Sequence, residues 1–276
     1  MRPEPKLAET LEEALGEILA RYIEAQQTVG LESAGEVWRR HPLIAVADRA
    51  GLESCVMGFH DQADASSIKS AVRWLEARSD SLRPGEKFSA PGLRAVVSPL
   101  TGESQLELLG TLGFAYRYGS MVLLWEGDPS PNSQPRSDVR VESFVGRDSE
   151  SVVEVITRGF VDGDTPTERQ RLVGRTYAAL PSCTHFGAFV GGTLAGGAAL
   201  VLGQDLAYLT GMSVLPAFRG RHLQTALIEA RIQRAIEHGV RILFATAKPL
   251  SRSQRNLERS GFRPLYARSS LVRPAR

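Results

Sequence analysis

The sequence predicts a mixed α/β protein, a central mixed sheet flanked by helices and built as two tandem units. Three observations carry that reading. Amphipathic helical stretches alternate with short apolar strands along the chain, as in a layered fold of helices on a sheet. A polar run holding three prolines, Glu126 to Ser137, interrupts the alternation near the middle. A short helix closed by Gly-Phe and followed by a strand with a tyrosine occurs on both sides of that run.

The elements follow in order. Leu7 to Gln27 places Leu11, Leu15, Ile18, Leu19 and Tyr22 on one helical face. Ile68 to Ala77 is a second helix, Leu93 to Pro99 a strand, and Ser104 to Leu112 a helix ending at Gly113, with strand material through Trp125. No helix or strand accepts the prolines that follow. The expected units are therefore 1–126 and 138–276, with 127–137 as linker. The second half opens with a strand at Val139 to Val145, a helix from Ser149 to Arg158, and another after Pro166. Phe186 to Leu202 is a hairpin turning at Gly191-Gly192, and Leu206 to Val214 is a strand. A helix from Leu223 stops near Gly239, and the strand Arg241 to Ala245 and the helix Ser251 to Arg259 follow it. A strand pair from Phe262 to Val272 closes the chain.

Composition narrows the function classes. Of 276 residues, 42% are hydrophobic and 23% charged, which excludes disordered, collagen-like and coiled-coil chains. Two cysteines, Cys55 and Cys183, far apart in sequence, exclude a disulfide framework and fit a reducing, cytoplasmic setting. Met1-Arg2-Pro3-Glu4-Pro5-Lys6 does not read as a secretory leader. Thr176 to Gln204 lacks Asp, Glu, Lys and Arg, but Pro181 and two glycine pairs break it, so no membrane span is expected. Residues 1–137 hold 14 Lys and Arg against 19 Asp and Glu, and residues 138–276 hold 19 against 12. A net of −5 thus faces a net of +7. The basic half suits an anionic ligand, yet it lacks the aromatic interleaving of a nucleic-acid surface.

The chemistry concentrates in Leu206 to Leu227. A strand ends at Pro216, a basic turn of Arg219, Gly220 and Arg221 follows, and a helix begins at once. The unpaired N–H groups and dipole of such a helix start attract anions. Gly220 lets the backbone approach a phosphate closely. No Walker or dinucleotide glycine pattern is present.

This stretch resembles motif A of the GNAT superfamily of N-acetyltransferases. Val214-Leu215-Pro216-Ala217-Phe218-Arg219-Gly220 fits its Val-x-Pro and the start of its Arg/Gln-x-x-Gly-x-Gly/Ala loop. Asn256-Leu257-Glu258-Arg259-Ser260-Gly261-Phe262 resembles the family's final helix. The resemblance covers about residues 138–276 and implies acetyl-CoA as co-substrate, with no metal. It implies that Met212 and Val214 hold the pantetheine arm through their backbone. It also implies that Arg219, Gly220, Arg221, His222, Leu223, Gln224 and Thr225 hold the pyrophosphate. The thioester oxygen would lie at Met212–Ser213, where a preorganised donor stabilises a tetrahedral intermediate. Asn256 or Ser253 would touch the pantetheine or the thiol end.

Two departures stand out. His222 and Gln224 replace the loop's glycine and its glycine or alanine, and Leu257 stands where many members place a thiolate-protonating tyrosine. The family's acidic base position is Tyr208, which reads either as a proton relay or as a core aromatic. Asp162 and Asp164 read either as ligands of a cationic amine or as turn and cap residues. Cys183 reads as a small buried hydrophobe, and His41, His60, His185 and His238 show no metal-ligand spacing. In the first half, Phe59 to Ser67 takes the place of the basic turn and is acidic, so that half reads as a degenerate repeat. The expected activity is acetyl transfer from acetyl-CoA to an amine of a small molecule or a protein. The alternative is a non-catalytic CoA-binding scaffold. Neither nucleic acid nor membrane is expected as partner, and the chain is expected as monomer or homodimer.

Overall fold

The computed structural model describes residues 5–29, 35–48, 54–78, 92–127, 138–162 and 164–274. Nearly all of the proline-rich run, residues 128–137, lies outside them. The chain forms two compact units, Met1–Met121 with Leu265–Arg276 and Val122–Pro264. The last residues thus group with the first unit, unlike a simple cut through 127–137.

The first unit contains α1 (Pro5–Ala25), β1 (Glu36–Arg40), β2 (Leu43–Ala47), β3 (Cys55–Met57), α2 (Ala65–Glu76), β4 (Leu93–Val97) and α3 (Glu103–Thr111). β5 (Ala115–Trp125) begins in it, and the far part of a strand ending at Arg273 completes it. β1, β2 and β3 form an antiparallel meander, and β3 pairs in parallel with β4 across the α2 crossover. Ile68, Ala71, Val72 and Leu75 of α2 bury against Leu43, Ala45, Ala47 and Val56. These three strands were not legible in the sequence. Leu-Ile-Ala-Val-Ala is apolar without alternation, and β3 has three residues, too few to show a period.

The second unit contains the end of β5, β6 (Val139–Phe144), α4 (Glu150–Phe160), α5 (Glu168–Ala179), β7 (Cys183–Val190), β8 (Thr193–Leu202) and β9 (Leu206–Val214). α6 (Leu223–Glu237), β10 (Ile242–Ala247) and α7 (Arg252–Arg259) follow. Its strands run β5-β10-β9-β8-β7-β6. The β7–β8 hairpin turns at Gly191 and Gly192, both at positive φ, as a tight turn requires. It begins at Cys183, three residues earlier than the apolar run suggests. The expected closing strand pair is instead one continuous strand, β11 (Phe262–Arg273). Ser269 to Arg273 of β11 pair antiparallel with β4. With a strand of the first unit as its neighbour, β11 needs no hairpin of its own.

Each unit therefore holds a parallel pair bridged by a helix, β3-α2-β4 in one and β9-α6-β10 in the other. Their helix starts differ. At α2 the Asp64 carboxylate accepts the Ser67 N–H at 2.8 Å. Bonds from Ser67 and Ser66 hold this carboxyl near pKa 2, so the helix start is already satisfied by an anion. At α6 the residue before the helix is His222, whose side chain makes no capping bond.

No described helix is long and apolar enough to cross a membrane. The histidine spacing hid one proximity. His60 lies with Glu9 and Glu13 of α1, their nearest donor atoms within 4.8 Å of one another.

Candidate active site

The site lies in the second unit, where β9 and β10 part. Their parallel register joins Ile242–Ala245 to Leu206–Leu209 and goes no further. Beyond it β9 continues through Thr210–Val214 beside a cavity of about 550 Å³. Met212, Ser213 and Val214 line it from β9, Gly159 and Phe160 from the end of α4, and Arg252 and Asn256 from α7. Phe218, Arg219, Gly220, His222, Leu223, Gln224 and Thr225 complete it from the loop and the start of α6.

The loop is shaped for an anion. Gly220 has φ +82° and open space where a Cβ would sit, and His222 has φ +61°. Left-handed backbone at His222 is costly for a residue with a Cβ. The structure thus keeps the glycine-like geometry of the loop although the residue is histidine. The His222 carbonyl accepts the Ala226 N–H at 3.1 Å, beginning the helix. The N–H groups of Leu223, Gln224 and Thr225 occupy the first turn, whose donors have no intrahelical partner. All three residues line the cavity.

Next to this loop, β9 bulges. Gly197 pairs with Ser213 and Ala199 with Thr210, so Gly211 and Met212 together oppose Ala198. Gly211, at φ +55°, supplies the left-handed residue. A bulge releases backbone groups from the ladder and re-aims them. Ser213 is tied down behind it, donating to the Ile156 carbonyl at 2.7 Å. Gly159 permits this packing, because a Cβ there would lie 2.4 Å from Ser213 Oγ.

Several expected residues have other occupations. The Arg219 guanidinium donates to the carbonyls of Val214 and Gly159, each at 3.2 Å, and pairs with Asp162 at 3.0 Å. It closes the C-terminal end of α4, where a cation is favourable, and so acts on the site by holding the loop. Asp162 is correspondingly engaged. Arg221 lies over the Phe218 ring at 5.7 Å and is not part of the lining. Asn256 donates to Gln224 Oε1, joining α7 to the first turn of α6. Ser253 and Tyr208 stand outside the lining. Tyr208 stacks on Phe244 at 5.0 Å and bonds through its hydroxyl to Thr246 Oγ1 at 2.7 Å. Leu257 is buried. Burial pushes the Cys183 thiol up to about 12, which leaves it an inert core group.

Sequence reasoning missed Gly159, Phe160, Phe218 and Arg252 of the lining. Arg252 follows the helix cap Ser251, and a helix start beside the motif was the one available signal. It also missed Arg231, which is fully buried. The spacing of Leu223, Leu227 and Ala235 puts this position on the buried face of α6, but an arginine there gives no sign in the sequence of what would accept its bonds.

The sequence of residues 150–262 matches the model of the Acetyltransferase (GNAT) family. No curated protein matches the chain. Among solved structures, a GCN5-related N-acetyltransferase from Kribbella flavida is 14% identical, with a TM-score of 0.61 over 93% of this chain and 96% of that one. A GCN5-related N-acetyltransferase from Sphaerobacter thermophilus is 15% identical, with a TM-score of 0.59 over 100% and 95%. A tandem GNAT protein from the clavulanic acid biosynthesis pathway is 13% identical, with a TM-score of 0.63 over 92% and 88%. At such identities the structural likenesses concern the fold. The family match, with the motif at Val214–Gly220 inside it, identifies residues 150–262 as a GNAT acetyltransferase domain in the second half of the chain.

Proposed function

We propose that the protein transfers an acetyl group from acetyl-CoA to an amine. The observation that carries this reading is one cavity walled by both the uncapped start of α6 and the β9 bulge. The first offers N–H donors and a helix dipole to a pyrophosphate. The second frees backbone groups at Met212 for the pantetheine amides and the thioester oxygen. The sites assigned are Met212, Ser213 and Val214 for the arm, Gly220 and His222 to Thr225 for the phosphates, and Asn256 for the helix that closes over them.

Reaction follows from orientation and not from a covalent enzyme intermediate. The amine lone pair forms the N–C bond, and the carbonyl oxygen carries the charge toward the Met212–Ser213 backbone. The C–S bond then breaks with its electron pair to sulfur. The proton shed by nitrogen reaches the thiolate through water, since Leu257 offers no acid. Tyr208 is bonded to Thr246 and serves the core. Release of CoA thiol from acetyl-CoA is measured across small amines and lysine peptides. Turnover with any of them supports the reading.

The second reading, a CoA-holding scaffold, is favoured by His222 and Leu257 together. CoA binding with no turnover on any acceptor would establish it. His222→Gly in the same assay separates a loop defect from a missing acid.

A further inference from the structure

Arg231 is a cation placed where charge is hard to keep. It is 1% exposed on the inner face of α6, and among the described residues no carboxylate pairs with it. Its Nε donates to its own helix at the Leu227 carbonyl, 2.9 Å away. One terminal nitrogen donates to the carbonyls of Ala199 and Thr210, at 3.1 and 3.2 Å. The other reaches Met212 Sδ at 3.1 Å.

Those acceptors delimit the bulge. Ala199 and Thr210 are the last regular pair before the β8–β9 register slips, and Met212 is one of the two residues opposing Ala198. A buried guanidinium persists only where its donors are satisfied. Here the strand distortion supplies the acceptors. Arg231 in turn gives these two carbonyls a donor at the point where the register slips. Burial also pulls its pKa down to about 9.

We infer that Arg231 is a positioning residue for acetyl transfer, fixing the β9 bulge so that the Met212 backbone meets the thioester. The inference rests on the acetyltransferase reading. Its second consequence concerns α6. Leu223 at the helix start lines the phosphate end, and Arg231 lies eight residues on, about 12 Å along the axis. One rigid helix therefore carries the phosphate donors at one end and the clamp on the reacting wall at the other.

The test compares Arg231→Met and Arg231→Lys with the parent chain. Three quantities are read: CoA affinity, the split between kcat and the KM for acetyl-CoA, and hydrogen exchange of the Thr210–Ser213 amides. The start of α6, which holds the phosphates, is untouched, so CoA affinity and KM should weaken about tenfold at most, through the Met212 contacts to the arm, and much less than kcat falls. A misplaced reacting wall should lower kcat of Arg231→Met about 100-fold, and Arg231→Lys should recover part of it. Exchange at Thr210–Ser213 should quicken while α6 stays protected. A merely structural arginine gives the opposite pattern: lowered stability with kcat unchanged in the folded fraction. Unchanged kcat and unchanged exchange overturn the assignment. If Arg231→Met does not fold, the same criteria are read on Arg231→Lys. The exchange measurement needs no turnover. An inactive parent chain therefore fails the acetyltransferase reading, while quickened or unchanged exchange still decides whether Arg231 holds the bulge.

Discussion

His222 concentrates the tension of the site. Its φ of +61° is the conformation a glycine would adopt freely. Replacing it by Gly removes roughly 1 kcal/mol of left-handed strain, partly offset by the greater freedom of glycine in the unfolded chain. We expect His222→Gly to fold with equal or slightly higher stability and to bind CoA more tightly, measured by thermal unfolding and titration. The two loop arginines separate by partner. Arg219→Ala frees the Gly159 carbonyl and Asp162 and should cost about 1 kcal/mol of stability in addition to CoA affinity. Arg221→Ala loses only a contact with Phe218, so its stability should stay unchanged within about 0.5 kcal/mol. Denaturant titration of both variants distinguishes them. The loop motif showed in the sequence because it is local. The partners of Arg219 did not, because Gly159 and Asp162 lie some 60 residues away in the chain.

At the scale of elements, the site depends on close approach of α4 to β9. Gly159→Ala would drive a Cβ into Ser213 at 2.4 Å, an overpacking expected to cost about 1–3 kcal/mol and to shift the Ser213–Ile156 bond. Chemical denaturation and CoA titration of that variant check both effects. Long periodic segments were legible: α1, α6 and the hairpin at Gly191-Gly192 lie close to where periodicity and turn residues put them. β1 to β3 were not, since short apolar strands carry no period of their own. The β9 bulge was not legible either, because register depends on which strand becomes the neighbour. Arg231 was hidden for the same reason, as its acceptors exist only once β8 and β9 have slipped. The single closing strand β11 shows the limit again, for its partner β4 lies in the other half of the sequence.

For the whole molecule, the chain's organisation sets how it can be divided. Ser269 to Arg273 pair with β4, and Tyr266 and Arg268 meet the buried Glu12 at 2.8 and 3.0 Å. Residues 138–276 produced alone lose these partners and should be less stable and more prone to associate than the full chain, by thermal unfolding and gel filtration. Acid should weaken the second unit through His185. Burial pushes it down to about 4 from its ordinary 6.5, so the unfolded chain takes up the proton first as pH falls. The stability this neutral ring preserves is intact above about pH 6.5 and is lost toward pH 4, roughly 3 kcal/mol in all. His185→Leu should flatten unfolding stability across that window. The basic balance of the second half was legible from composition and agrees with an anionic ligand. The acidic cap of α2 in turn removes the corresponding position of the first unit.

What the cavity at the start of α6 binds decides whether this molecule is an acetyltransferase. Thermal unfolding of the full chain is followed with acetyl-CoA, and with CoA and NAD as comparison ligands. At 100 times Kd a ligand adds about 2.7 kcal/mol to the stability of the unit that binds it. A rise in unfolding temperature with acetyl-CoA and CoA but not with NAD, weakened by Arg219→Ala, is the predicted result. No shift with acetyl-CoA even at millimolar concentration would contradict the assignment of the α6 start as a pyrophosphate site, and the acetyltransferase reading with it.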